Sequence, residues 1–454
     1  MARRSAPSVP GAVAGFDEEY TVAILPDEAP VLDAPPTGLH RRRPARRPPA
    51  RLARLLTRAR TSWARGWVRD ATVLVTFLLG GVWVLGHLAV DPRGRFLAAN
   101  GNDQAFFEWV LAHGVRVLTD GQNPFVSYQM GAPDGVNMMA NTSILGLSLP
   151  MAPVTMLFGV RVAFLVLLIL GLAATGSSWY LMFTRRLRLA RGPAFLGAAL
   201  CGFGPALVSH ANGHPNLVAQ FLLPWIIWQV IALSRGAPRV RTGLVLAALV
   251  LWQVFINEEL LFITALAFGL FAAAWAAQRP PGWRLAARRV AGGLAITATV
   301  TVPLLAYPLY VQFFGPGSYH GLMPRIHDFG ADLASFVSFA SESVGGNPAT
   351  AGHVAQNAAE ENTFFGIPLL LVIGFFAGYL RRQVEIRALA LPAAVLAILS
   401  LGIHIRVRGR LTGLPGPYDL VRHAPLLDSV VPTRFGLVVT AVFGVILAIM
   451  TNEV

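Results

Sequence analysis

Long runs of apolar residues recur along this chain, and they constrain its fold more than any other feature. Several stretches of roughly 16–25 residues carry almost no charge, which is bilayer length at 1.5 Å per residue. Of the 454 residues, 54% are hydrophobic and only 13% charged, and mean hydropathy is +0.56. A soluble domain of this size carries about twice that charge fraction. The expected class is an all-α integral membrane protein, because a helix satisfies its own backbone groups in lipid.

The basic residues are all Arg; Lys is absent. Mechanisms that need a lysine, such as a P-loop or a Schiff base, are thereby excluded. The formal net charge is +14. Its clusters lie between apolar runs, where topology signals belong, and this position argues against nucleic acid as a partner. The single cysteine, Cys201, lies inside an apolar run, so it forms no intrachain disulfide and no cysteine-based zinc site.

Residues 1–70 are rich in Pro, Ala and Arg and cannot bury a core, so they read as a disordered cytoplasmic tail. The part from Leu52 to Val68 has the Arg spacing of an amphipathic helix on an anionic leaflet, or of a simple topogenic charge block. The polytopic membrane domain then covers 71–454. Ala71–Val90 reads as a signal anchor with the N-terminus cytoplasmic, in the inner (plasma) membrane. The following crossings are expected at Val160–Phe183, Pro193–Ser209, Leu217–Leu233, Gly243–Ile256, Leu260–Ala277, Val290–Phe313, Thr363–Leu380, Ala388–Leu401 and Gly436–Met450. That makes about ten transmembrane helices. The apolar run 143–159 is expected to be interfacial or re-entrant, since Pro150 and Pro153 break it and the Arg cluster after Phe183 belongs inside. Three large extracytoplasmic loops follow: 91–142, 314–362 and 402–434.

Chemistry is sought in those loops. Asp103 opens an amphipathic segment, Asn102–Leu111, about a dozen residues past the first span. As the N-terminal residue of a helix its carboxylate is held ionised by the helix dipole. It could serve as general base toward a sugar hydroxyl, help hold a divalent metal ion, or simply cap the helix. Glu258 and Glu259 interrupt a long apolar stretch, and placing them at the outer turn of a helical hairpin removes most of the cost of burying acids. Glu360 and Glu361 precede an inward span. Asp328, Asp332, His320, Arg325 and His327 share that loop, with Arg325 a candidate substrate-binding residue. Loop 402–434 carries Arg406, Arg408, Arg410, Arg422 and Arg434 on the outer face. Arg408 and Arg434 are candidates for holding a phosphate in bidentate geometry. His210 and His214 have the i, i+4 spacing of some metal sites, but Gly213 and Pro215 argue against a helix there.

The order of these features resembles the GT-C superfamily of membrane glycosyltransferases, close to actinobacterial YfhO-like membrane proteins. The residues that carry the resemblance are Asn102–Glu108, Gly121–Phe125 (GQNPF), Ala132–Ser143 (APDGVN…NTS), Gly202–Asn216, Glu361–Leu371 and Gly409–Phe435. The resemblance implies a GT-C-like fold with interfacial helices in the outer loops. It implies an inverting transfer from a polyprenyl-phosphate-linked sugar to a cell-envelope acceptor. An acid of the first outer loop would be the base, with a divalent metal ion as a cofactor in some relatives. Asp103 is the matching position, with Glu108 the second candidate catalytic acid. Asn102 and Gln104 flank Asp103, so the acidic pair of some relatives is not reproduced. Asp134, Asn137, His214, Glu258, Glu259, Arg325, Glu361, Arg408 and Arg434 are the expected substrate-binding set. A transporter or flippase of a lipid-linked substrate, and a non-catalytic membrane scaffold, are the alternatives.

Overall fold

A computed structural model of the chain describes residues 50–319, 321–322, 326 and 328–453, with side chains from Gly66 onward. The tail expected at 1–70 lies outside the described residues up to position 49. The compact unit begins at Ser62. Among the described residues, seven helices are long and apolar enough to cross a membrane: Gly66–Val84, Val160–Leu187, Arg191–His210, Pro215–Ser234, Glu258–Ala277, Trp283–Phe314 and Pro432–Glu453. The chain is therefore a helical membrane protein.

The remaining apolar helices are shorter. Arg239–Val254 and Val384–Leu399 have 16 residues each, and Gly366–Tyr379 has 14. Of the ten or so crossings expected, seven fall on helices of spanning length, and the other three fall on these shorter helices. Two of the longer units are also broken inside. Gly204 separates Arg191–Phe203 from Pro205–His210, and residues 219–222 separate Pro215–Val218 from Leu223–Ser234. Proline stands in the first turn of three of these pieces (Pro205, Pro215 and Pro224), where its missing N–H costs nothing.

Two polar ends organise the bundle. At one, Asp70 accepts hydrogen bonds from the Tyr180 hydroxyl (2.8 Å) and Arg191 Nε (2.7 Å), and also pairs with Arg185. At the same end the Ala190 backbone N–H donates to Asn452 (2.8 Å). The opposite end holds Asp103, His210, Glu259 and Glu360. The short helix Leu145–Phe158 keeps both its ends there. Gly146 N donates to Phe255 O (2.8 Å), and Arg161, just past Phe158, lies 3.9 Å from Glu108. The helix thus keeps to that end of the bundle, and Ile144 and Gly159, which bound it, both take positive φ.

The strictly all-α expectation needs correcting. Val126–Ser127 pairs with Val136–Asn137, and His404–Val407 pairs antiparallel with Arg410–Pro415. The second hairpin turns on Arg408 (φ 51°) and Gly409 (φ 78°), the two left-handed positions of a type I′ turn. Asp332 stabilises that turn by accepting from Arg408 N (2.9 Å) and Gly409 N (2.7 Å).

Helices Arg191–Phe203 and Phe435–Glu453 approach through small residues, as membrane helices do where no hydrophobic effect drives association. A Cβ on Gly197 would lie 2.5 Å from Gly444 O and 2.6 Å from Ala448 Cβ. Cys201 is buried in the same seam, its Sγ 3.6 Å from Ala441 O. Gly197→Ala is expected to cost about 1–3 kcal/mol through overpacking, and Gly197→Leu more. A melting series in detergent checks this; a Leu variant as stable as the native chain contradicts the tight seam.

Candidate functional site

The site is built where five chain segments meet at one end of the bundle. The first is the helix Gly101–Thr119. Asn100 stands at the N-cap position without a side-chain capping bond, and Asp103 sits in the first turn, so the capping reading among its three alternatives does not hold. The Asp103 side chain turns toward a neighbouring loop. Its Oδ2 accepts from Asn100 Nδ2 (2.7 Å) and lies 2.8 Å from His214 Nε2. The hydrogen bond with His214, with help from Asn100, holds the Asp103 carboxyl below its ordinary pKa despite partial burial. The side chain keeps 43% exposure, so an ionised carboxylate faces outward.

The second segment is the turn His210–Asn216. Gly213 takes φ +116°, and a Cβ there would lie 2.9 Å from Asn100 Nδ2. Only glycine combines that backbone conformation with so close an approach. The expectation that Gly213 and Pro215 exclude a continuous helix is correct, since the helices end at His210 and restart at Pro215. One helical hydrogen bond survives, from His214 N to His210 O (2.9 Å). It brings the two imidazoles together with Nδ1 atoms 3.0 Å apart. His210 is fully buried.

The other three segments, which carry Glu259, Glu360 and Arg434, supply an ion network. Arg434 Nη1 donates to Glu259 Oε2 (2.7 Å), while its Nη2 and Nε donate to Glu360 Oε1 (2.9 and 3.1 Å). Glu259 Oε1 also accepts from Val431 N (2.9 Å), and Glu360 Oε2 accepts from Asn362 Nδ2 (2.8 Å). Asn257 caps the helix Glu258–Ala277 by accepting from Leu260 N (2.7 Å), which fixes both acids in its first turn. Glu360 meets the histidine pair: ligand atoms of His210, His214 and Glu360 lie within 4.8 Å of one another. Two hydrogen-bonded groups, Asp103–His214–His210 and Glu360–Arg434–Glu259, therefore meet where Glu360 lies against the histidine pair.

The expected residues divide accordingly. Asp103, His214, Glu259 and Arg434 join these groups. Arg434 does so with its guanidinium engaged by two carboxylates. Glu258 is bonded to Gln312. Glu108 is buried and faces Gln104 Nε2 (2.7 Å) and Arg161 (3.9 Å), away from His214. Glu361 is buried and accepts from Ser341 N (2.8 Å) and Oγ (3.0 Å); burial pushes its carboxyl pKa up. Asn137 is also buried, with Nδ2 donating to Val311 O (2.6 Å) and Oδ1 accepting from Met139 and Ala140. Asp134 is exposed, and Arg408 is exposed at its hairpin turn. Arg325 lies outside the described residues.

Sequence reasoning set aside His210 and took Glu361 where its neighbour Glu360 joins the network. The signal available for Glu360 was Arg434 itself, a cation beside an apolar run that requires buried carboxylate partners.

No curated protein and no solved structure matches the chain. One family model does, described as Domain of unknown function (DUF6311), over residues 119–449. That segment includes His210, His214, Glu259, Glu360 and Arg434 and begins after Asp103. The chain belongs to the DUF6311 family.

Proposed function

We propose that this protein is an inverting membrane glycosyltransferase of GT-C type, transferring a sugar from a polyprenyl-phosphate donor to a cell-envelope acceptor at the outer face. The observation that carries the reading is the half-exposed, ionised Asp103 carboxylate, which has Oδ2 bonded to Asn100 and His214. Its other oxygen, Oδ1, takes the proton of the acceptor hydroxyl as the hydroxyl oxygen attacks the anomeric carbon. The sugar–phosphate bond breaks, and the polyprenyl phosphate leaves with the bonding electrons.

Charge supports the sidedness of this reading. Arg185, Arg186, Arg188, Arg191 and Arg235 gather at the Asp70 end, as the positive-inside rule expects of a cytoplasmic end. With that end inside, Asp103 lies outside, where the reading has lipid-linked sugars used. The reading takes Arg239–Val254, Gly366–Tyr379 and Val384–Leu399 as crossings beside the seven long helices, ten in all. At 14–16 residues these three span about 21–24 Å. A transporter would place its ionisable groups at mid-membrane depth. Here Glu258 and Glu259 open a helix, and Glu360 lies before one.

The test is transfer of radiolabelled hexose from polyprenyl phosphate to an envelope-glycan acceptor by the purified chain in proteoliposomes. Label moves in the native protein and not in Asp103→Asn. Equal transfer by Asp103→Asn removes the base, and absence of transfer across hexose and pentose donors removes the reading.

A further inference from the structure

The structure assigns His210, His214 and Glu360 to a transition-metal site of zinc type, with Asp103 orienting one of its ligands. This goes beyond the transferase reading and does not rest on it. Two separate segments, the turn His210–Asn216 and the stretch that holds Glu360, bring the ligand atoms within 4.8 Å of one another. A tetrahedral zinc ion with nitrogens at about 2.0–2.1 Å sets them roughly 3.3 Å apart. The Nδ1 atoms of His210 and His214 are 3.0 Å apart, so a small opening of the pair admits the ion.

Tautomer accounting supports the assignment. With Asp103 bonded at 2.8 Å, His214 carries its proton on Nε2 and presents the Nδ1 lone pair to His210. Without an ion, His210 must then donate from Nδ1, which leaves its Nε2 bare. That Nε2 is fully buried and has no hydrogen-bond partner. Asn362, which lies beside His210, also leaves Oδ1 buried without a partner. An ion bound to both Nδ1 atoms moves the His210 proton to Nε2, from which it can donate toward Asn362 Oδ1. One change thus serves both orphaned atoms.

Charge points the same way. The carboxylates Asp103, Glu259 and Glu360 face a single guanidinium, Arg434. A divalent cation restores neutrality to this cluster. Two imidazoles and one carboxylate select a zinc-like ion over magnesium or calcium, which favour oxygen ligands. The outer partners match those of known metal sites in kind. A carboxylate holds one ligating His, and Asn362 and Arg434 orient the ligating Glu360.

The test uses the full-length protein in detergent. Elemental analysis after purification with zinc is expected to give one zinc per chain. Chelation followed by Co²⁺ titration should produce the visible absorption of a tetrahedral cobalt–imidazole site. His214→Gln and Glu360→Gln should lose the stoichiometric ion and the spectrum. Asp103→Asn should keep the spectrum with about 10–100-fold weaker affinity. A native chain that binds neither zinc nor Co²⁺ overturns the site, as does an unchanged spectrum in folded His214→Gln. Transfer activity plays no part in these readouts, so the metal site and the transferase reading fail separately.

Discussion

Arg434→Met is expected to destabilise the chain by about 3–5 kcal/mol, because it leaves two buried carboxylates without a counter-charge. The Arg434 side chain is 19% exposed and its partners Glu259 and Glu360 are 15% and 2% exposed, so water cannot replace the lost guanidinium. The partners are also distant in sequence. Arg434 joins the start of helix Glu258–Ala277, the segment before helix Gly366–Tyr379, and the start of helix Phe435–Glu453. Its loss therefore releases three elements at once. Arg434→Lys should recover part of the loss, since one ammonium cannot reproduce three directed bonds. The triple variant Arg434→Met, Glu259→Gln, Glu360→Gln should recover more, because removing all the charges ends the uncompensated burial. Melting temperatures in detergent, measured after chelation so that Glu360 counts only as an ion-pair partner, check the series. A single Arg434→Met variant that melts with the native protein would show that the network contributes nothing to stability.

Asp103→Asn is expected to lower sugar transfer by about 10²–10⁴-fold, the usual contribution of a positioned general base. Asparagine preserves the shape and a hydrogen-bond acceptor for His214, but it cannot take a proton from the acceptor hydroxyl. The assay belongs at saturating zinc, so that weaker metal affinity does not count as lost base catalysis. Glu108→Gln is the control on the same helix. Glu108 is buried against Gln104 and Arg161 and does not reach His214, so transfer should stay within a few-fold of native. If Glu108→Gln falls as far as Asp103→Asn, the first outer helix acts through its packing and not through one carboxylate.

The same physical split explains which features could be read in advance. Hydropathy is local, so apolar runs announced the membrane class and most helices to within a few residues. The prolines at 150 and 153 misled in one respect, since Leu145–Phe158 is one continuous helix that contains both of them. The hairpin at 404–415 was not expected, although Arg408–Gly409 can adopt a type I′ turn. Its stability depends on the Asp332 carboxylate, 76 residues from Arg408. The place of Asp103 in the first turn of its helix was legible, but its bond to His214 was not, because that partner lies 111 residues away.

Composition and periodicity by themselves determined a multi-helix membrane protein with polar loops, since burial in lipid depends on runs of neighbouring residues. Tertiary structure alone decided that Glu360 and not Glu361 meets Arg434, and that His210 meets His214 and Glu360. Adjacent side chains leave the backbone in different directions, so which one faces the site is set by how distant helices pack.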